Sequence, residues 1–287
     1  MKHRRHFLTV FGASAVALTM RHRMFAESSS VVKLGLLSDT HIHRDTKNEY
    51  RGFRPAENLA KVVSQVADSD VQMSLLCGDA ARLDGHMDDY VQLKSQLEPL
   101  HNKMRVEIAL GNHDDRSNYW SVFEPAKAVE ELKGKRHVAI IDVGPQRWIM
   151  LDSLMFVDKT PGFLGQDQRE WLSKTLGSDT SRPVVIMVHH TLGDRDGDLL
   201  DTDKLLSVIK RHPHVKAIIF GHSHQWKIVE ESGLFLINLP AIGYNFSDDQ
   251  PIGWVHAELR SNGIKLTLNA IAGNTSEHRS SRELNWV

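Results

Sequence analysis

Five short runs rich in Val, Ile and Leu, at residues 31–37, 71–77, 106–110, 184–188 and 217–220, each end in a glycine or a polar side chain. Runs of that length, closed by turn-forming residues, predict strands buried in a sheet. Residues 55–67 and 88–100 lie between the first three and carry apolar side chains at helical spacing: Leu59, Val62, Val63 and Val66 in one, Tyr90, Leu93, Leu97 and Leu100 in the other. Pro55 suits a first helical turn. The opening segment therefore predicts a βαβαβ unit of parallel strands joined by right-handed crossovers.

From His137 onward the pattern changes. Residues 138–142 and 147–151 flank Gly144-Pro145 as a hairpin, and two more are expected from 227–230 with 234–238 and from 254–259 with 264–270. Helices are expected at 167–176 and 201–210. The hairpins predict more antiparallel pairing in this second half. Two sheets that each need one face covered pack on each other, with helices outside. The expected fold is α/β, a four-layer αββα sandwich with mixed sheets, in one domain at residues 31–273. The tail at 274–287 is polar and expected to be irregular, with Trp286 the residue suited to docking.

With 41% apolar and 25% charged residues, the chain can build one sizeable core. The formal charge of −1 leaves no basic footprint for nucleic acid outside the first residues. Cys77 is the single cysteine; it rules out an intrachain disulfide framework and reads as a small core hydrophobe.

Residues 1–26 stand apart from the fold pattern. A basic start (Lys2, His3, Arg4, Arg5, His6) precedes an apolar stretch at 7–20 that is too short to span a bilayer and has the length of a signal-peptide core. Arg4-Arg5 ahead of Phe7-Leu8 resembles the twin-arginine export signal, and Arg21 and Arg23 fit that class. Export machinery is the expected partner of this segment, with cleavage near Ala26 and a periplasmic or extracytoplasmic location. An uncleaved anchor or a cytoplasmic N-terminus is the alternative, and no transmembrane span is expected in the remainder.

The buried runs are followed by Asp39-Thr40-His41, Gly78-Asp79, Gly111-Asn112-His113-Asp114, His189-His190 and Gly221-His222-Ser223-His224. Singly these are ordinary turn residues. Because ligands bind in the crevice at the carboxyl ends of strands in α/β sheets, all five can converge. Together they supply carboxylate, amide and imidazole groups for two metal ions. Such ligands without thiolates suit Mn, Fe, Zn or Mg. Two ions sharing a carboxylate, about 3.5–4 Å apart, clamp a phosphoryl oxygen and activate a bridging water, which predicts phosphoester hydrolysis. Of the 17 histidines, His86, His101, His137, His212, His214, His256 and His278 have no metal-type neighbours and are expected at the surface; His43 is not counted as a ligand.

In this order the five clusters resemble the signature of the calcineurin-like metallophosphoesterases, over residues 31–268. The sandwich that the resemblance implies agrees with the fold read from periodicity. Within that superfamily, Gly111-Asn112-His113-Asp114-Asp115-Arg116, residues 212–216 ahead of 220–225, and residues 165–172 look like class III cyclic nucleotide phosphodiesterases. The run Ala80-Ala81-Arg82-Leu83-Asp84 after Asp79 departs from the common pattern, so support for that carboxylate is expected to differ.

Carried over residue by residue, the resemblance implies Asp39, His41 and His224 at one ion, Asn112, His189 and His222 at the other, and Asp79 bridging. His190 stays open as an alternative to His189. His113 is implied as general acid with Asp114 orienting its imidazole, and Asn112 and Arg116 as substrate contacts, Arg116 being either a phosphate contact or a solvated loop charge. Thr191, Asp194 and Asn245 are placed near the mouth. The implied reaction is attack by a metal-bridged hydroxide on a small-molecule phosphoester, a phosphodiester in the first instance and cyclic nucleotides among them. The alternatives are an exported phosphomonoesterase of broad specificity and a non-enzymatic binding sandwich. Loss of ligands would mark the last, and none of the expected ones is missing.

Overall fold

Strands β1 (Val32–Leu37), β2 (Met73–Cys77) and β3 (Arg105–Ala109) are parallel neighbours, with α1 (Pro55–Ala67) and α2 (Met87–His101) crossing between them. This is the expected βαβαβ unit, seen in a computed structural model that describes residues 31–123, 132 and 135–286. The export signal expected at 1–26 lies outside the described residues. In α1, Pro55 opens the helix and Leu59, Val62, Val63 and Val66 form its buried face. In α2 the His86 side chain caps the Asp88 N–H, and Tyr90, Leu93, Leu97 and Leu100 are buried. A short helix the apolar pattern did not announce, α3 (Arg116–Val122), starts at Asp115, whose carboxylate accepts from the Asn118 N–H.

The second sheet is built from β4 (Ala139–Val143), β5 (Gln146–Met150), β6 (Val184–Met187), β7 (Val215–Phe220), β8 (Lys227–Glu231) and β9 (Leu234–Asn238), in the order β4-β5-β6-β7-β9-β8. Helices α4 (Gln166–Ser178) and α5 (Thr202–Ile209) complete it. Its four inner strands are parallel and its two edges antiparallel.

Two expectations are corrected in the first sheet, whose order is β12-β11-β10-β1-β2-β3. The hairpin of β10 (Pro251–Arg260) and β11 (Gly263–Gly273) does not join the second sheet but returns to pair antiparallel with β1. Its buried Val255, Ala257 and Leu259 continue the apolar surface begun by Leu34 and Leu36. The tail is not irregular throughout, because β12 (Ser281–Asn285) adds an edge strand, pairing Leu284 with Ile264. One inward leucine in a polar strand is enough for an edge, and too little for periodicity to reveal it. Trp286 docks against the same core and lies beside Phe235.

The layers follow from which faces are apolar. Leu75, Leu266, Trp148, Val185 and Ile219 pack between the sheets. Leu59, Val62 and Leu93 cover the far side of the first sheet at Leu37, Leu76 and Ile108. Leu172 and Leu205 cover the second at Ile186 and Ile218. The result is the αββα sandwich. Cys77 is free and fully buried in the central layer. Among the described residues no helix is long and apolar enough to cross a membrane.

Candidate active site

The carboxyl ends of five strands meet through their backbones. The Asp39 N–H donates to the Gly78 carbonyl at 3.1 Å, the His41 N–H to Asp79 at 2.9 Å, and the Gly221 N–H to His189 at 3.0 Å. Five side chains singled out above sit on left-handed backbone: Asp39 (φ 51°), His41 (47°), Asp79 (47°), His222 (69°) and His224 (52°). Asp and His tolerate this region better than most residues, yet each such position is strained, and the cross-loop hydrogen bonds hold it. The turn swings consecutive side chains toward one point. Glycine is required where the loops touch: a Cβ at Gly111 would lie 2.6 Å from the Asp79 nitrogen and 2.6 Å from His189 Cδ2.

Two ligand groups result. The ligand atoms of Asp39, His41 and His224 lie within 4.8 Å of one another, as do those of Asp79, His189 and His222, and a third group of His41, Asp79 and His113 joins them. His41 and Asp79 thus link the two halves. The imidazoles are aimed from behind: His189 Nδ1 donates to the Cys77 carbonyl at 2.7 Å, His224 Nδ1 to Tyr244 at 2.6 Å, and His222 Nε2 to Gly197 at 2.9 Å. Each leaves its other nitrogen as a lone-pair donor to a metal.

The residues present fit a pair of cations. His41 Nε2 and His224 Nε2 face each other at 3.1 Å, placed either to share one proton or to ligate one cation between them. Asn112 Oδ1 and His189 Nε2 are buried with no hydrogen-bond partner in the protein, although Asp79 Oδ1 is 3.3 Å from the latter. Buried polar atoms of this kind are costly unless a ligand satisfies them.

Electrostatics agree with that demand. Burial pushes the Asp39 carboxyl up, but the His224 imidazole outweighs it and holds the group at about 2. Burial likewise opposes ionisation of Asp79, and His189 and His113 carry it well below the usual carboxylate range. At His189 burial disfavours the imidazolium, while Asp79 and Asp39 overcome this and push its pKa up to about 10. A cation arriving here displaces that proton. Burial, reinforced by the neighbouring His189, lowers His222 to about 4, and burial takes His41 well below its ordinary value, so both are ready neutral ligands.

The profile of the calcineurin-like phosphoesterase family matches residues 32–226, two thirds of the sequence. The chain belongs to that family. This phosphoesterase is 27% identical over 239 residues to the "Probable cyclic nucleotide phosphodiesterase" of Vesicomyosocius okutanii, spanning 81% of this chain and 95% of that protein. It is also 27% identical over 235 residues to the 3',5'-cyclic adenosine monophosphate phosphodiesterase CpdA of Pseudomonas aeruginosa, covering 79% of this chain and 82% of the relative. Its fold superposes on a dimetal phosphatase from Danio rerio with a TM-score of 0.71 at 17% identity, over 90% of this chain and 99% of that one.

Other side chains of the phosphoesterase fall differently from expectation. His189, not His190, shares the Asp79 group; His190 turns its Nδ1 to the Ser153 hydroxyl at 2.7 Å. Asp114 does not orient the His113 ring. Its carboxylate accepts from the N–H groups of Gly111 (2.8 Å), Ala81 (3.0 Å) and Ala80 (3.2 Å) and from the Tyr90 hydroxyl (3.0 Å), so it locks the Asp79 loop to the Asn112 loop. Burial, with Asp79 close by, raises its pKa to about 6.

The His113 ring is held instead by the Leu83 carbonyl, 2.8 Å from Nδ1, with Asp158 Oδ1 at 3.4 Å. The Asp79 carboxylate is supported by the His113 backbone N–H, 3.0 Å from its Oδ1. Arg116 is corrected as a substrate contact: buried Asp152 takes its guanidinium at 2.6 and 2.7 Å, and the Leu154 carbonyl accepts from it too. An unpaired buried carboxylate is expensive, so this cation is committed to the scaffold. His137, expected at the surface, is buried between Trp120 and the Ile108 carbonyl. Asn245 turns inward to the Gln250 carbonyl, and Thr191 bonds Gly221. Asp194 lines a cleft with Arg195 and Lys227. Four residues were missed altogether, Tyr50, Arg82, Tyr244 and Phe246, which surround His41 and His224.

Proposed function

We propose that this phosphoesterase hydrolyses phosphodiesters, 3',5'-cyclic nucleotides among them, with two ions drawn from Mn, Fe and Zn held by Asp39, His41 and His224, by Asn112, His189 and His222, and by Asp79 between them. The observation that carries the reading is the pair of ligand groups Asp39–His41–His224 and Asp79–His189–His222, joined by the third group of His41, Asp79 and half-buried His113. The relatives' names supply the diester preference, and a donor set of oxygen and imidazole without thiolate supports the choice of metals.

When bound, the ions supply Lewis-acid charge at the phosphoryl oxygens and an activated water. The chain's own residues do the rest. With Nδ1 held by Leu83, His113 presents Nε2, and in its protonated form it gives that proton to the departing alkoxide oxygen. The Asp114 carboxylate keeps the loops bearing Asp79 and Asn112 in register while this happens.

A substrate panel tests the reading. Full-length protein loaded with Mn is expected to turn over cyclic AMP and bis-p-nitrophenyl phosphate with kcat/KM above that for p-nitrophenyl phosphate. The opposite ranking points to the broad phosphomonoesterase, and inactivity toward all three overturns the enzyme reading. Metal analysis of protein isolated from its own compartment identifies the ions.

Export follows as a second part of the proposal, supported by Arg4-Arg5 before Phe7-Leu8 and the apolar stretch behind them. A reporter fused behind residues 1–26 is expected outside the cytoplasm, and Arg4→Lys with Arg5→Lys to retain it inside. Cytoplasmic retention of the unmodified fusion overturns this part.

A further inference from the structure

An aromatic wall rises from one half of the metal-binding cluster, with Tyr244 buried at its base and Tyr50 and Phe246 exposed at its lip. The Tyr244 ring stacks on His41 with centroids 4.7 Å apart, and Phe246 stacks on His224 at 4.2 Å with the planes 20° apart. Tyr50 meets Tyr244 edge-on at 4.7 Å. Two of these three rings stay open to solvent, Tyr50 at 38% and Phe246 at 49% exposure. Large exposed aromatics at the lip of a polar site mark a surface that a ligand covers.

Cations flank the rings. The Arg82 guanidinium lies 4.4 Å from the Tyr50 centroid and 5.8 Å from that of Tyr244. No ion pair or side-chain hydrogen bond engages it among the described residues. Arg51 donates to the carbonyls of Asn245 and Phe246, both at 2.9 Å, and so fixes the Phe246 loop against the Tyr50 loop. These bonds tie together the two loops that carry the exposed rings. Their chemistry, π-faces bordered by a planar cation, matches a flat heteroaromatic ring, which can stack on both.

We propose that Tyr50 and Phe246, with Arg82, bind the base of a nucleotide substrate, Phe246 providing the principal stacking surface and buried Tyr244 supporting Tyr50 from beneath. The proposal rests on the phosphoesterase reading of the neighbouring metal cluster and assigns the specificity of that same site. Because Phe246 stacks on His224, a substituent leaving the ligand groups on that side would meet its ring. Base–aromatic stacking of this kind changes affinity by on the order of tenfold.

The test compares AMP with ribose 5-phosphate, which carries the same phosphate without the base. Calorimetric titration into the full-length Mn-loaded protein is expected to give AMP the lower Kd by about tenfold. In Phe246→Ala the preference is expected to shrink, and in Phe246→Trp to return. Equal affinities in the unaltered protein, or a preference undiminished in Phe246→Ala, overturn the base site. Failure of the phosphoesterase reading shows separately, as absence of phosphoester turnover by the unaltered protein.

Discussion

His113 holds its Nδ1 proton against a backbone carbonyl, which leaves one nitrogen free to exchange a proton with substrate. Replacing it by alanine is expected to lower kcat by about 10²- to 10⁴-fold at unchanged metal content, and to spare substrates whose leaving group needs no proton. Kinetics on aryl and alkyl phosphodiesters, with metal analysis of each preparation, check this. His137 is the contrasting case. Its Nδ1 accepts from the Trp120 indole at 3.2 Å and its Nε2 donates to Ile108 at 2.8 Å, an arrangement available only to the neutral ring. Burial lowers its pKa despite the nearby Asp152. The unfolded chain therefore takes up this proton near 6.5 while the folded chain still refuses it. Stability from His137 is complete above that pH and is lost as the pH falls below it. Urea midpoints are expected to drop on acidification through this window, and to drop less in His137→Asn.

Glycines at the strand ends decide whether the loops can close. Gly111→Ala sets a Cβ against the Asp79 backbone and His189, so metal content is expected to fall by more than half while far-ultraviolet circular dichroism stays unchanged. An unaltered metal content would show that the loop can yield. The same elements show what the chain disclosed in advance. The βαβαβ unit, the hairpins and all five ligand-bearing strand ends were legible, because buried strands and amphipathic helices write themselves as local apolar periods. The return of β10 to β1 was not, since pairing between distant strands leaves no local trace. The aromatic wall was hidden for a related reason: Tyr50, Arg82 and Phe246 come from three loops that carry no period. Asp114 was assigned to the His113 ring by what the resemblance implied, whereas the turn directs its carboxylate onto backbone N–H groups.

Across the whole molecule, metal binding and proton binding compete at one place. His189 carries a proton at neutral pH, held there by Asp79 and Asp39, until a cation takes its nitrogen. Adding Mn to chelator-treated protein in weak buffer at pH 7 is expected to release protons and raise the thermal midpoint. The release should shrink in His189→Gln; an undiminished signal would assign the proton to another group.

The proposed ligands divide unequally between the sheets. The first supplies Asp39, Asp79 and Asn112 with His41, and the second only the imidazoles His189, His222 and His224. Neither three-residue set that takes an imidazole from the second sheet exists until the sheets pack: Asp39 and His41 need His224, and Asp79 needs His189 and His222. A substitution that loosens the apolar layer between the sheets is therefore expected to weaken metal affinity without touching a metal-binding side chain.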